Sequence, residues 1–212
     1  MTRIDPISDV LVAIDVQIDF CPGGALAVAD GDAVVPAINF IAPNFPHLVA
    51  TQDWHTPGHL SFADSHVGRK PFETIQLPYG PQTLWPDHCV QGTAGAEFHP
   101  ELDLTAAEVI IRKGFRKEID SYSAFFENDK KTNTGLAGYL TERGLKRLFF
   151  TGLATDYCVA HSALDAITMG FESFVILDAC REIDLAGSHE AMLERMRAAG
   201  VAILHSSDLN LG

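Results

Sequence analysis

Six short, nearly unbroken apolar runs, spaced by helical patterns, restrict what this chain can fold into more than any other feature. They are DVLVAID (residues 9–15), HLVAT (47–51), EVIIR (108–112), RLFFT (147–151), FVILD (174–178) and VAILH (201–205). Runs of Val, Ile, Leu and Phe without polar alternation suit strands buried on both faces of a parallel sheet. Helical patterns over residues 32–40, 134–143, 158–169 and 188–199 lie between them. In the third, Val159, Ala160, Ala163, Leu164 and Ile167 form one apolar stripe and Gly170 is a stop; in the fourth, Ser188 opens the helix and Ala199-Gly200 close it. The alternation predicts an α/β fold, a three-layer α/β/α sandwich around a mostly parallel, doubly wound six-stranded sheet. No linker of distinct composition divides the 212 residues, so a single domain over 1–212 is expected.

Bulk properties narrow the partners. A formal net charge of −13 disfavours a surface that neutralises phosphates, so no nucleic-acid partner is expected. No apolar run approaches the ~20 residues that span a bilayer, and the first residues, MTRIDPISDV, lack the apolar core of a signal peptide. A cytoplasmic protein that does not engage membranes is expected; an assembly of identical copies stays open. The four cysteines, Cys21, Cys89, Cys158 and Cys180, form no CxxC pair, which favours reduced thiols.

Ligands of an open α/β sheet bind outside the carboxyl ends of its strands. Asp15 ends the first run, TQDWHTPGH follows the second, Lys113 follows the third, and TGLATDYC follows the fourth. Residues 52–104 carry no period, and an irregular segment of that length in a compact fold is usually functional. Cys158 can be a small core hydrophobe, half of a disulfide or a nucleophile. A helix start and a neighbouring lysine would lower its pKa, and amides of the preceding turn could face an oxyanion. Asp15 alone could be a paired structural carboxylate and Lys113 its partner. Together with Cys158 they fit a nucleophile, a base and an orienting cation. Asp53 and His55, two apart on an extended segment, point the same way. With His59 and His88 nearby they suit Zn, Fe(II) or Mn(II). His66, His99, His161, His189 and His205 read as surface or core histidines.

These segments resemble those of the bacterial nicotinamidases (pyrazinamidases) of the isochorismatase-like cysteine hydrolase superfamily. The likeness runs through DVQIDFCPGGALAV, TQDWHTPGHLSFA, LWPDHCVQGTAGAEFHP, IRKGFRKEIDSYSAFF and GLATDYCVAHSALDA, nearly the whole chain. It implies a catalytic triad of Asp15, Lys113 and Cys158, and metal ligands Asp53, His55 and His88, with His59 or water completing the shell. It further implies an apolar pocket of Phe20, Leu26, Trp85, Tyr122 and Tyr157. A cis Leu153–Ala154 peptide would aim the amides of Ala154 and Cys158 at an oxyanion. The implied cofactor is one divalent metal ion, Zn or Fe(II) first and Mn(II) next, binding the ring nitrogen of the substrate. The implied reaction is hydrolysis of nicotinamide, and of pyrazinamide, through a Cys158 thioester. Cys21 and Cys89 would line the walls of the site, and Cys180 would be structural. A hydrolase of carbamoyl or ureido compounds would keep the triad without needing the metal motif. An isochorismatase would not use the cysteine, and a metal-stabilised module that only binds a pyridine compound would have no use for the triad.

Overall fold

The computed structural model describes residues 1–211; Gly212, the last residue of the expected 1–212 domain, lies outside the described residues. In chain order the strands are β1 (Thr2–Arg3), β2 (Asp9–Ile14), β3 (His47–Asp53), β4 (Thr74–Leu77), β5 (Gly80–Thr83), β6 (Ala107–Lys113), β7 (Arg147–Leu153), β8 (Glu172–Arg181), β9 (Ala202–Leu204) and β10 (Leu209–Asn210). The helices are α1 (Val34–Ile41), α2 (Leu136–Glu142), α3 (Ala160–Thr168) and α4 (Ser188–Ala199).

All six apolar runs enter one sheet in the order β6-β3-β2-β7-β8-β9, and every pairing in it is parallel. Counted among themselves these strands run 3-2-1-4-5-6, the doubly wound order whose reversal beside β2 opens a crevice at the carboxyl ends. Strand residues alternate between two cores. Leu11 and Ala13 pack with Val34, Ile38 and Ile41 of α1 on one face. Val10, Val12 and Ile14 pack with residues of α2, α3 and α4 on the other. The sandwich is therefore uneven, with one helix and part of the irregular segment on the first face and three helices on the second. That segment contains short 3₁₀ turns and the antiparallel β4–β5 hairpin.

The sequence pattern misreads one strand. β6 alternates between partly buried and exposed residues, with Ile110 47% exposed. It is an edge strand, and the outer residues of an edge lack the second layer that a central strand receives.

Candidate active site

Four strand ends bring the chemistry together: Asp15 just past β2, Asp53 and Lys113 at the last positions of β3 and β6, and Cys158 in the turn after β7. The paired register sets Asp53 directly beside Lys113. The chain leaves β2 through a left-handed Asp15, φ 48°. Gly152, φ 106°, is required beside Ile14, the last residue of β2, because a Cβ there would lie 2.1 Å from the Ile14 carbonyl oxygen. The Leu153–Ala154 peptide is cis, as the resemblance implies.

Lys113 is fully buried and is the hub of the cluster. Its Nζ lies 2.8 Å from Asp15 Oδ2 and 3.2 Å from Asp53 Oδ1. It also donates to the Ser121 carbonyl at 2.8 Å and faces Cys158 Sγ at 3.4 Å. A buried ammonium is tolerable only with such compensation. Burial would pull Lys113 down, but Asp15, Asp53 and Cys158 hold it well above its ordinary range. Burial raises Asp15 against the pull of Lys113. For Asp53 burial is again the largest influence, yet His55 and Lys113 hold its carboxyl well below the usual range. Thr51 donates its hydroxyl to Asp15 Oδ1 at 2.6 Å. Oδ2 has the ammonium beside it and accepts no well-directed hydrogen bond.

Two sequence expectations change at Cys158. It sits inside a single π-helical turn, Thr155–Val159, that leads into α3, rather than at the start of the α-helix itself. Its thiol is not lowered: burial pushes it well above its ordinary value, Lys113 opposes this, and the Asp15 and Asp53 carboxylates reinforce it.

His55 and His88 close on Asp53, with Nε2 atoms 3.0 and 3.4 Å from its Oδ2. His55 Nδ1 faces the Gly114 carbonyl at 2.9 Å and His88 Nδ1 faces the Pro86 carbonyl at 2.7 Å. Each ring thus donates its Nδ1–H to the backbone and presents its Nε2 to the carboxylate. The set of two imidazoles and one carboxylate can therefore hold a metal ion. Gln17 clamps the Asp53 backbone from both sides, donating to its carbonyl at 2.8 Å and accepting from its amide at 2.7 Å. Gly114, φ 67°, lies so near that a Cβ would meet His55 Cε1 at 2.7 Å.

His59 reaches this cluster, its ring 4.5 Å from that of His55, and with His55 and Asp120 it forms a second group whose ligand atoms can hold a cation. Its Nδ1 accepts from the Ser61 amide at 3.1 Å, so its Nε2–H donates to the Arg116 carbonyl at 2.8 Å. Among the described residues, none of His66, His99, His161, His189 or His205 joins a metal-ligating group.

A narrow pocket opens over Cys158 and Asp53. Phe20, Leu26, Trp85, Tyr122 and Tyr157, the side chains expected around a ring, all line it, as does Ala154, expected to face an oxyanion with its amide. Trp85 donates to the Tyr122 hydroxyl at 3.1 Å and stands edge-on to Tyr157 at 4.9 Å. Cys21 and Cys89, expected in the walls, are buried in the core beside the lining residues and do not themselves line the pocket. Burial pushes the Cys180 thiol to about 12, as suits a structural cysteine.

Sequence reasoning missed two lining residues, Asp120 and Ile183. Asp120 Oδ1 lies 3.9 Å from His55 Nε2. Its Oδ2 accepts from Gln82 Nε2 at 2.7 Å, and the same amide reaches the Tyr122 hydroxyl at 3.1 Å. Both follow irregular segments where no period marks a position. The only signal for Asp120 was its place in the IRKGFRKEID stretch.

Comparison with known proteins agrees with this architecture. An isochorismatase domain model matches residues 9–208. A nicotinamidase of Acinetobacter baylyi is 55% identical over 199 residues, covering 94% of this chain and 93% of the relative. Among solved structures, an Acinetobacter baumanii nicotinamidase/pyrazinamidase superposes with a TM-score of 0.95 at 54% identity, covering 96% of this chain and 99% of that one. An L. infantum structure in complex with nicotinate gives 0.86 at 39% identity, covering 98% of both chains. A Pyrococcus horikoshii pyrazinamidase in complex with zinc gives 0.74 at 35% identity, covering 93% of this chain and 99% of that one. The chain belongs to the isochorismatase family.

Proposed function

We propose that this chain is a nicotinamide amidohydrolase, converting nicotinamide to nicotinic acid and ammonia and accepting pyrazinamide. The observation that carries the reading is the meeting of Asp15, Lys113 and Cys158 beneath an aromatic-lined pocket whose other end is the Asp53, His55 and His88 cluster. A hydrolase of open-chain carbamoyl or ureido compounds would have no use for that cluster. Relatives named nicotinamidase and the nicotinate-bound neighbour support the substrate. The reading includes one domain over residues 1–212 and a cytoplasmic, small-molecule enzyme; no described helix is long and apolar enough to cross a membrane.

In this reading the pyridine ring lies among Phe20, Leu26, Trp85, Tyr122 and Tyr157, with its carboxamide over Cys158. Asp15 Oδ2 takes the thiol proton as sulfur attacks the carboxamide carbon, and the carbonyl oxygen becomes an oxyanion facing the amides of Ala154 and Cys158. The tetrahedral centre collapses, the C–N bond breaks, and Asp15 returns the proton to the leaving nitrogen, releasing ammonia. A water then gives its proton to Asp15 and attacks the thioester. The C–S bond breaks, nicotinic acid leaves, and the thiol recovers its proton. Throughout, Lys113 neutralises Asp15 and Asp53 and orients the sulfur. A divalent cation held by Asp53, His55 and His88, Zn or Fe(II) ahead of Mn(II), supplies a Lewis-acid seat for the ring nitrogen.

The test is ammonia release from nicotinamide before and after chelator stripping and restoration with Zn, Fe(II) or Mn(II). Activity lost on stripping and regained with metal supports substrate and ligands together. Inactivity with every metal moves the assignment to a carbamoyl or ureido amide.

A further inference from the structure

One buried acid of the nucleophile turn takes no part in the reaction above. Asp156 is 2% exposed, and its carboxylate is turned away from the thiol toward the segment that follows β8. Oδ1 accepts the Ile183 amide at 3.0 Å and Oδ2 the Asp184 amide at 2.9 Å. Ser188, the first residue of α4, donates its hydroxyl to the same Oδ2.

Besides this carboxylate the segment is held by the packing of Ile183 on the core and by the His189 amide, which donates to Asp184 Oδ1 at 3.3 Å. Its ladder to the sheet ends at Arg181, opposite Leu153. Asp184 and Ala186 both adopt left-handed conformations, φ 51° and 54°, which non-glycine residues hold only where their surroundings impose them. Yet this segment carries Ile183 into the pocket wall. One carboxylate therefore joins the turn that presents Cys158 to the wall that faces the substrate.

We propose that Asp156 is a positioning residue that docks the Ile183 wall onto the nucleophile turn, and that Ile183 sets which substituted pyridine carboxamides the pocket admits. The proposal rests on the amidohydrolase reading. A wall that contacts ground state and transition state alike contributes uniform binding, so its loosening raises KM more than it lowers kcat.

The experiment compares wild type, Asp156→Asn, the milder Ser188→Ala and Ile183→Ala in metal-loaded protein. It uses nicotinamide and a series of ring-methylated nicotinamides, with hydrogen exchange followed at the Ile183 and Asp184 amides. Asp156→Asn is expected to raise KM for nicotinamide about tenfold with a smaller change in kcat, and to speed exchange at those two amides while β2 and β7 stay protected. Ser188→Ala should shift both readouts in the same direction by less. Ile183→Ala should raise kcat/KM for at least one methylated ring relative to nicotinamide. Unchanged exchange and KM in Asp156→Asn, or a loss confined to kcat, would overturn the positioning role. An unchanged substrate ratio in Ile183→Ala would overturn the selectivity role. A wild type that releases no ammonia from nicotinamide would instead defeat the amidohydrolase reading and with it the selectivity role, while exchange would still decide whether Asp156 docks the wall.

Discussion

Burial keeps the Cys158 thiol protonated in the resting site, so in the proposed reaction its proton must leave before sulfur can attack. Asp15 is the acceptor within reach, and burial raises its carboxyl above 3.8 despite Lys113. A carboxylate of raised pKa is a better base for a thiol proton. The sign of the pH dependence follows. Asp15 accepts a proton only when ionised, so kcat/KM should fall as pH drops through its raised value, with an acid limb above 3.8. Steady-state ammonia release from acid to neutral pH measures this, and a limb at the ordinary carboxylate value would remove Asp15 from the role. Cys158→Ala should lower ammonia release by about a thousandfold or more while calorimetry still detects nicotinamide binding. Release at the wild-type rate would end the assignment of the nucleophile.

Two glycines separate what the elements do for the fold from what they do for the site. At Gly152 an added Cβ would strike the Ile14 backbone oxygen at 2.1 Å, and φ is 106°. Neither β2 nor β7 can yield without parting the centre of the sheet. Gly152→Ala should cost about 3 kcal/mol or more in urea unfolding, and activity should fall with stability. At Gly114 the added Cβ would meet the His55 ring at 2.7 Å, a side chain that can tilt. Gly114→Ala should therefore weaken metal affinity about 10- to 100-fold in chelator competition with a smaller loss of stability than Gly152→Ala. Equal stability losses for the two variants would contradict this division.

Across the whole molecule, the metal cluster joins segments far apart in sequence. Asp53 ends β3 and His55 lies just past it, while His88 comes from the irregular segment beyond the β4–β5 hairpin. An ion bound there favours the folded chain by mass action, about 2.7 kcal/mol at a hundred times Kd. In a chain of 212 residues that corresponds to a rise of about 5–10 °C in Tm. Thermal unfolding of stripped protein, with and without added Zn, measures it, and a metal-independent Tm would argue against a resident ion at Asp53, His55 and His88.

Residues at strand ends were legible because a parallel sheet places the carboxyl ends of its strands along one edge whatever the loops do. Asp15, Asp53, Lys113 and Cys158 could be brought together from the apolar runs alone, and those runs with the helical periods between them sufficed for the six strands and four helices. What escaped the sequence depends on contacts between distant segments. Ile110 is exposed because β6 happens to be an edge. Asp120 and Ile183 reach the pocket along chain without a period. Asp156 reads as an ordinary turn residue until the segment after β8 folds onto it. The direction of the Cys158 shift also belongs to this class, since helix starts and lysines act locally whereas desolvation is set by everything packed around the sulfur. Periodicity and strand polarity thus determined the scaffold and the meeting point of the reactive groups. The tertiary structure alone decided their burial, their hydrogen-bond partners and the shape of the space above them, because these arise from side chains that are neighbours only after folding.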